Sequence, residues 1–240
     1  MFRKKIDFDL NEFRSRPLPT EQEITARWTS DLDKPVVSVI CNTYNQEMYI
    51  EDAIRGFLIQ ETGFPFEVII NDDASTDRNP EIIKVYTEKY PNIIKPVFQK
   101  ENQYSQGRKP SVISFPYTSG DYIALCEGDD FWINPEKLKA QYEAAKNSRV
   151  SLLVAPGLHL KDGKILNNLF NSHGPKLKKI EVQEILDVPG QFAPTATYFM
   201  KREVLETLPE WFDKAPYGDL FIELWAFTVG EVRYQPIPVS

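Results

Sequence analysis

From residue 35 onward, short β-branched apolar runs alternate with segments that carry apolar residues on one helical face. Residues 36–42 (VVSVICN) form a run suited to a strand buried on both faces. Ile50, Ala53, Ile54, Phe57 and Leu58 follow at helical spacing, with Asn45 placed to act as an N-cap. A second strand is predicted over 66–70 (FEVII), running into NDDASTD. Asn79 as N-cap and Pro80 at the first helical position then open a helix containing Ile82, Ile83, Val85 and Tyr86. A third strand is predicted near 93–99 and a fourth over 121–128 (DYIALCEG), running into DDFW. Asn134 and Pro135 open the helix PEKLKAQYEAAKN. Strands alternating with helices imply parallel crossovers and a doubly wound sheet, hence an α/β fold.

The pattern changes beyond residue 150. SLLVAPGLHL reads as a strand, KDGKIL as a hairpin-like turn, IEVQEIL as a short helix, ATYFM as a strand and DLFIELWAFTVG as a final helix. The organisation expected is an N-terminal arm (1–34), an α/β half (35–150) and an α+β extension of the same domain (151–240). The arm is polar and interrupted by Pro17 and Pro19, with a helix around Glu21–Trp28.

Composition narrows the function classes. A chain of 240 residues with 42% hydrophobic residues can bury a sizeable core. The 28 Lys+Arg against 35 Asp+Glu give a net charge of −7, which argues against a general nucleic-acid binder while leaving room for a local anion site. Cys41 and Cys126 both fall within strand-like apolar runs and are read as reduced core residues. His159 and His173 have no partner at metal-ligand spacing and are read as surface or loop residues, His173 being the nearer to a site. Trp132 is read as core. No apolar stretch approaches the ~18 residues of a membrane span, and the N-terminus lacks the apolar segment of a signal peptide, so a soluble cytoplasmic protein is expected.

In open parallel sheets, ligands bind beyond the carboxyl ends of the strands. Three polar clusters fall at such ends: Thr43-Tyr44-Asn45, Asn71-Asp72-Asp73 and Glu127-Gly128-Asp129-Asp130. Neither a G-x-G-x-x-G turn after the first strand nor a Walker motif is present, so a phosphate ligand would be handled through metal. Hard divalent ions prefer carboxylate oxygens, and Gly128 lets the backbone approach a ligand. The alternative is a solvated acidic turn that favours a helix N-terminus. Asp72 and Asp73 are equally compatible with local turn formation or with hydrogen bonding to a base or ribose.

VVSVICNTYNQ, FEVIINDDASTD and SGDYIALCEGDDFWINPEKLKAQ together resemble three ordered motifs of the inverting glycosyltransferases of family two. The resemblance spans about residues 35–150, and more weakly 190–230. It implies a GT-A fold, a nucleotide-sugar donor (commonly a UDP-sugar) and Mn²⁺ or Mg²⁺. By position, Thr43, Tyr44 and Asn45 line the nucleotide pocket, and Asp73 contacts the base with Asp72 beside it. Glu127 takes the first place of the D-x-D motif, facing donor ribose or sugar. Asp129 takes the last place and binds metal, and Asp130 supports the sugar or the metal shell. Asp219, opening the final helix, matches the family's catalytic base, and Glu223 lies one turn beyond. Arg108 and Lys109 are the candidates for the diphosphate.

The activity so implied is transfer of a sugar to a saccharide or lipid-linked saccharide acceptor, in surface polysaccharide synthesis, with peripheral contact at the inner membrane face. A nucleotidyltransferase would show a Gly-rich basic loop where this chain has NTYNQE. A nucleotide-sugar-binding module without turnover would lack Asp129 or Asp219, and both are present.

Overall fold

The computed structural model describes residues 8–29, 34–161 and 163–236. In chain order the elements are α1 (Leu10–Ser15), α2 (Glu21–Thr25), β1 (Val37–Thr43), α3 (Ile50–Leu58), β2 (Phe66–Asp72), α4 (Asn79–Lys89), β3 (Ile94–Phe98), α5 (Pro110–Ser114), β4 (Tyr122–Leu125), α6 (Lys137–Ala145) and β5 (Val150–Val154). They continue with β6 (Gly157–Lys161), β7 (Lys164–Phe170), β8 (Lys178–Lys179), α7 (Val182–Leu186), β9 (Phe199–Lys201), α8 (Arg202–Glu206), α9 (Gly218–Val229) and β10 (Glu231–Tyr234).

One sheet runs through both halves of the chain in the order β3-β2-β1-β4-β9-β5-β10-β8. β3, β2, β1 and β4 are parallel, as the alternating pattern predicts. β9 is antiparallel to both β4 and β5, so the sheet is mixed rather than uniformly parallel. β1 carries β2 on one side and β4 on the other. The crossovers therefore change direction there, and a crevice opens beyond the carboxyl ends of β1 and β4.

The core lies on both faces of this sheet. Along β1, Val37, Val39 and Cys41 face the layer of α3, α4 and α6, while Ile40 faces the layer that includes Ile222 and Ala226 of α9. Cys41 and Cys126 are free and buried, as read from the sequence, and Trp132 is fully buried with its indole N–H on the Ala196 carbonyl at 2.8 Å. α3 presses against the loop after β4. A Cβ on Gly56 would lie 2.7 Å from the Trp132 backbone nitrogen, so only glycine admits this approach.

Several local readings change. Asn45 is not the N-cap of α3, because it adopts a left-handed φ of 51° and the helix begins only at Ile50. Asn79 is the first residue of α4 rather than its cap, and α6 starts at Lys137, after an Asx turn closed by Asn134. SLLVAPGLHL divides into β5 of the main sheet and β6 of a separate hairpin with β7. α1, α5, β8, α8 and β10 are additional to the elements read from the sequence.

The described part of the arm packs on the body. Arg14 forks onto Asp52 of α3 (Nε–Oδ1 2.9 Å, Nη2–Oδ2 2.7 Å), the Tyr90 hydroxyl donates to the Pro19 carbonyl at 2.8 Å, and Trp28 meets Phe66 edge-on.

Candidate active site

The ends of β1 and β2 are tied into one web. Asn79 Nδ2 donates to Thr43 Oγ1 (3.0 Å) and to Asp72 Oδ1 (2.8 Å), while Asp72 Oδ2 accepts from the Ser75 N–H at 3.0 Å. Asn45 Oδ1 accepts from the Thr76 N–H at 2.8 Å, which holds the loop after β2 against the loop after β1. Asp73 is buried, and its two carboxylate oxygens accept the backbone N–H groups of Gln103 (2.7 Å) and Tyr104 (3.0 Å). Thr43, Asn45, Asp72 and Asp73 thus shape the rim of the crevice through hydrogen bonds of their own. Tyr44, at 45% exposure, is the member of this group most open to a planar ligand.

The acidic loop leaves β4 directly beside β1. The Gly128 N–H donates to the Asn42 carbonyl at 3.0 Å, and the Asp130 N–H closes a turn onto Glu127 at 3.1 Å. A Cβ on Gly128 would lie 2.6 Å from both Gln46 Oε1 and Thr43 Oγ1, so glycine is required for the loop to sit this close to β1. Glu127, Asp129 and Asp130 are open to a cleft whose walls crowd them. Desolvation in the cleft, with the charges of Asp129, Asp130 and Asp219, pushes Glu127 up to about 7. Desolvation and Asp129 push Asp130 up to about 6, opposed by His159.

The cleft has a volume of about 600 Å³ and is lined by the three acids, His159 and Thr195. A second cavity of about 440 Å³ is lined by Tyr217, Asp219, Leu220 and Glu223. Gln191 lines both, so the two spaces adjoin. Asp219 sits within the first turn of α9, whose N-cap is Tyr217. One turn on, Glu223 is buried and accepts a 2.5 Å hydrogen bond from the Tyr198 hydroxyl. Burial pushes Glu223 up to about 8 against the opposing hydrogen bonds from Tyr198 and the Ala193 N–H, and the Asp219 charge adds to the upward shift.

The structure therefore gathers the acidic loop and the α9 acids around adjoining cavities, with the β1 and β2 ends beside the loop. Arg108 is paired with Asp213 at 3.3 Å and lines neither cavity. Lys109 runs alongside Gly218, its Cδ 3.7 Å from where a Cβ there would stand. Of the two histidines, His159 is the one at the cleft. His173 instead stacks on Phe192 with ring centroids 4.0 Å apart. The sequence KDGKIL signals the hairpin that carries His159, but not that this hairpin brings His159 to the acids. The arm residues Phe8, Leu10 and Arg14 also line the cleft, and no sequence signal marked them.

The family described as "Glycosyl transferase family 2" matches residues 38–208, well over half of the chain. The chain therefore belongs to glycosyltransferase family 2. It is 34% identical over 174 residues to the Nostoc glycosyltransferase alr2836, covering 71% of this chain and 52% of that one. Mycobacterial relatives are 46% identical over 105 residues, of which this chain spans only 30% of their length. In three dimensions the chain is similar to S. aureus TarS residues 1–349 in complex with UDP, with a TM-score of 0.65, 21% identity, and 85% and 59% of the two chains covered. It is also similar to the mannosyltransferase PcManGT from Pyrobaculum calidifontis in complex with GDP-Man and Mn²⁺, with a TM-score of 0.58, 17% identity, and 95% and 62% covered. At these identities the likeness defines the fold, which is GT-A.

Proposed function

We propose that the chain is an inverting glycosyltransferase that moves a sugar from a nucleotide-diphosphate donor, a UDP-sugar, to a saccharide hydroxyl in the assembly of cell-surface polysaccharide. The observation that carries this reading is the position of Glu127-Gly128-Asp129-Asp130. The loop stands at the carboxyl end of β4, against β1, where the sheet's crossovers change direction. TarS with bound UDP and PcManGT with GDP-Man and Mn²⁺, which share the fold, support the choice of ligand.

In this reading Thr43, Tyr44, Asn45, Asp72 and Asp73 form the nucleotide side of the crevice, Tyr44 offering its ring to the base. Glu127 and Asp130 face the donor sugar. Among the described residues no three His, Cys, Asp or Glu side chains converge as a metal cage. One or two carboxylates completed by phosphate oxygens are what Mn²⁺ or Mg²⁺ accepts, so the acidic loop fits. The buried Gln46 Oε1, without a hydrogen-bond partner among the described residues, adds a hard oxygen beside it. Asp129 would hold the ion, which when bound neutralises charge on the departing diphosphate.

Asp219 accepts the proton of the acceptor hydroxyl. As the acceptor oxygen bonds to the anomeric carbon, the bond from that carbon to the diphosphate oxygen breaks. The nucleoside diphosphate leaves with the electron pair, and attack from the opposite face inverts the centre. Glu223, held protonated near neutral pH, leaves Asp219 as the available base in that corner.

A thermal-shift screen of nucleotides and nucleotide-sugars with and without Mn²⁺ tests this reading. A ligand at 100 times its Kd stabilises by about 2.7 kcal/mol. Stabilisation by a UDP-sugar with Mn²⁺ is expected, and a flat response across the screen contradicts it.

A further inference from the structure

Residues 8–16 lie outside the segment matched to the family, yet they wall the cleft that holds the acidic loop. The attachment is firm. Arg14 forks onto the buried Asp52, and Arg55 Nη2 donates to the Arg16 carbonyl at 2.5 Å. Phe8 and Phe13 close a three-ring cluster with Phe131, the residue after Asp130, with centroid separations of 5.1–5.8 Å. The arm thereby fixes one flank of the acidic loop, and the β6–β7 hairpin stands across the cleft from it.

We propose that this arm completes the acceptor subsite, and that the acceptor is an uncharged saccharide of more than one unit. The proposal rests on the donor reading above and deepens it. Position is the first argument. None of Thr43, Tyr44, Asn45, Asp72 and Asp73 lines the cleft, whereas Glu127, Asp129 and Asp130 do. The acidic loop thus separates the nucleotide side from this space, and a molecule here meets the donor at its sugar end.

Size is the second argument. About 600 Å³ lies within the ~300–1,000 Å³ of sites that enclose a sizeable ligand, room for acceptor rings beside the donor sugar that Glu127 and Asp130 face.

Charge is the third. The walls carry the carboxylates of Asp52, Glu127, Asp129 and Asp130 against a single arginine, Arg14, which Asp52 already engages. An acceptor bearing phosphates would be repelled, whereas an uncharged one is not. The remaining lining suits a sugar. Phe8, Phe131 and Phe170 offer apolar faces to ring C–H groups, and His159, Gln191 and Thr195 offer polar groups to hydroxyls.

The test uses the full chain with UDP and Mn²⁺ on an array of neutral oligosaccharides of two or more units, with phosphate-bearing polyols alongside. UDP affinity is measured separately by calorimetry. Binding of a neutral oligosaccharide is expected, weakened at least tenfold by Leu10→Arg in the arm. Should that variant fail to fold, Phe8→Ala in the same arm gives the same selective loss. UDP binding with no neutral oligosaccharide bound overturns the acceptor proposal alone. So does preference for the phosphate-bearing polyols, or neutral binding that both variants retain. Absence of UDP binding to the wild type overturns the donor reading itself, and this proposal with it.

Discussion

The Tyr198 hydroxyl donates a 2.5 Å hydrogen bond to Glu223 Oε1, and this pair stands one helical turn from Asp219 on α9. Burial holds the Glu223 carboxyl near 8, against about 4.3 for an exposed glutamate. Below about pH 4.3 the group is protonated folded or unfolded, and it leaves stability unaffected. As pH rises through the folded value the native state must surrender a proton that the unfolded chain has already lost, so stability falls between about pH 4.3 and 8. Glu223→Gln keeps the size and an oxygen for Tyr198 without the charge. Thermal melts across this window are expected to show a flatter slope for the variant and a higher Tm than wild type above pH 8, the difference in stability being a few kcal/mol at most. A wild-type slope in the variant places the titration elsewhere.

Asp219→Asn separates catalysis from helix stability. Because Asp219 sits inside the first turn rather than at the cap, its loss removes only a favourable helix-dipole charge of about 0.3–1 kcal/mol. Loss of a general base costs about 10²–10⁴ in rate. The variant is expected to melt near wild type and bind UDP normally while turnover falls at least about a hundredfold, read by sugar transfer or, more weakly, by donor hydrolysis. Unchanged turnover shows that Asp219 is not the base.

The acidic loop sets the pH dependence of metal-supported nucleotide binding. Glu127 at about 7 and Asp130 at about 6 carry protons that a cation must displace. UDP affinity in Mn²⁺ is therefore expected to fall as pH drops from 8 through 6, with proton release on binding. Calorimetry in buffers of different ionisation enthalpy reads that release directly, and no buffer dependence speaks against it.

Gly128→Ala tests the seating of the loop. The added methyl meets Thr43 and Gln46 atoms at 2.6–2.7 Å, an overpacking of about 1–3 kcal/mol. Reduced Tm together with weaker UDP binding is expected, because relief of the clash moves Asp129 away from β1. A variant that melts and binds as wild type does shows that the loop is not held by this contact.

Much of this arrangement was legible from residue pattern, for identifiable reasons. The β1, β2 and β4 runs are apolar because both of their faces are buried, and each ends in polar residues because its carboxyl end opens on the crevice. That local logic found the acidic loop and the ends of β1 and β2. It did not find the antiparallel insertion of β9, which depends on a chain reversal far from its pairing partners. Nor did it rank His159 above His173, because proximity to Asp130 is created by the folding of the hairpin. The arm read as polar and peripheral because its contacts, Arg14 to Asp52 and Phe13 to Phe131, join residues distant in sequence. Asn45 showed the opposite error: a good capping residue was drawn instead into bracing the loop after β2.

The central claim is that Asp129 holds a divalent ion which in turn holds the donor diphosphate, and titration of UDP into wild type and Asp129→Asn, each in Mn²⁺ and in EDTA, tests it most directly. The account predicts tight binding to wild type in Mn²⁺, and weak binding to wild type in EDTA and to the variant in either buffer, with all samples folded. Equal UDP affinity with and without the metal, or an Asp129→Asn variant that binds as wild type does at low Mn²⁺, would contradict it.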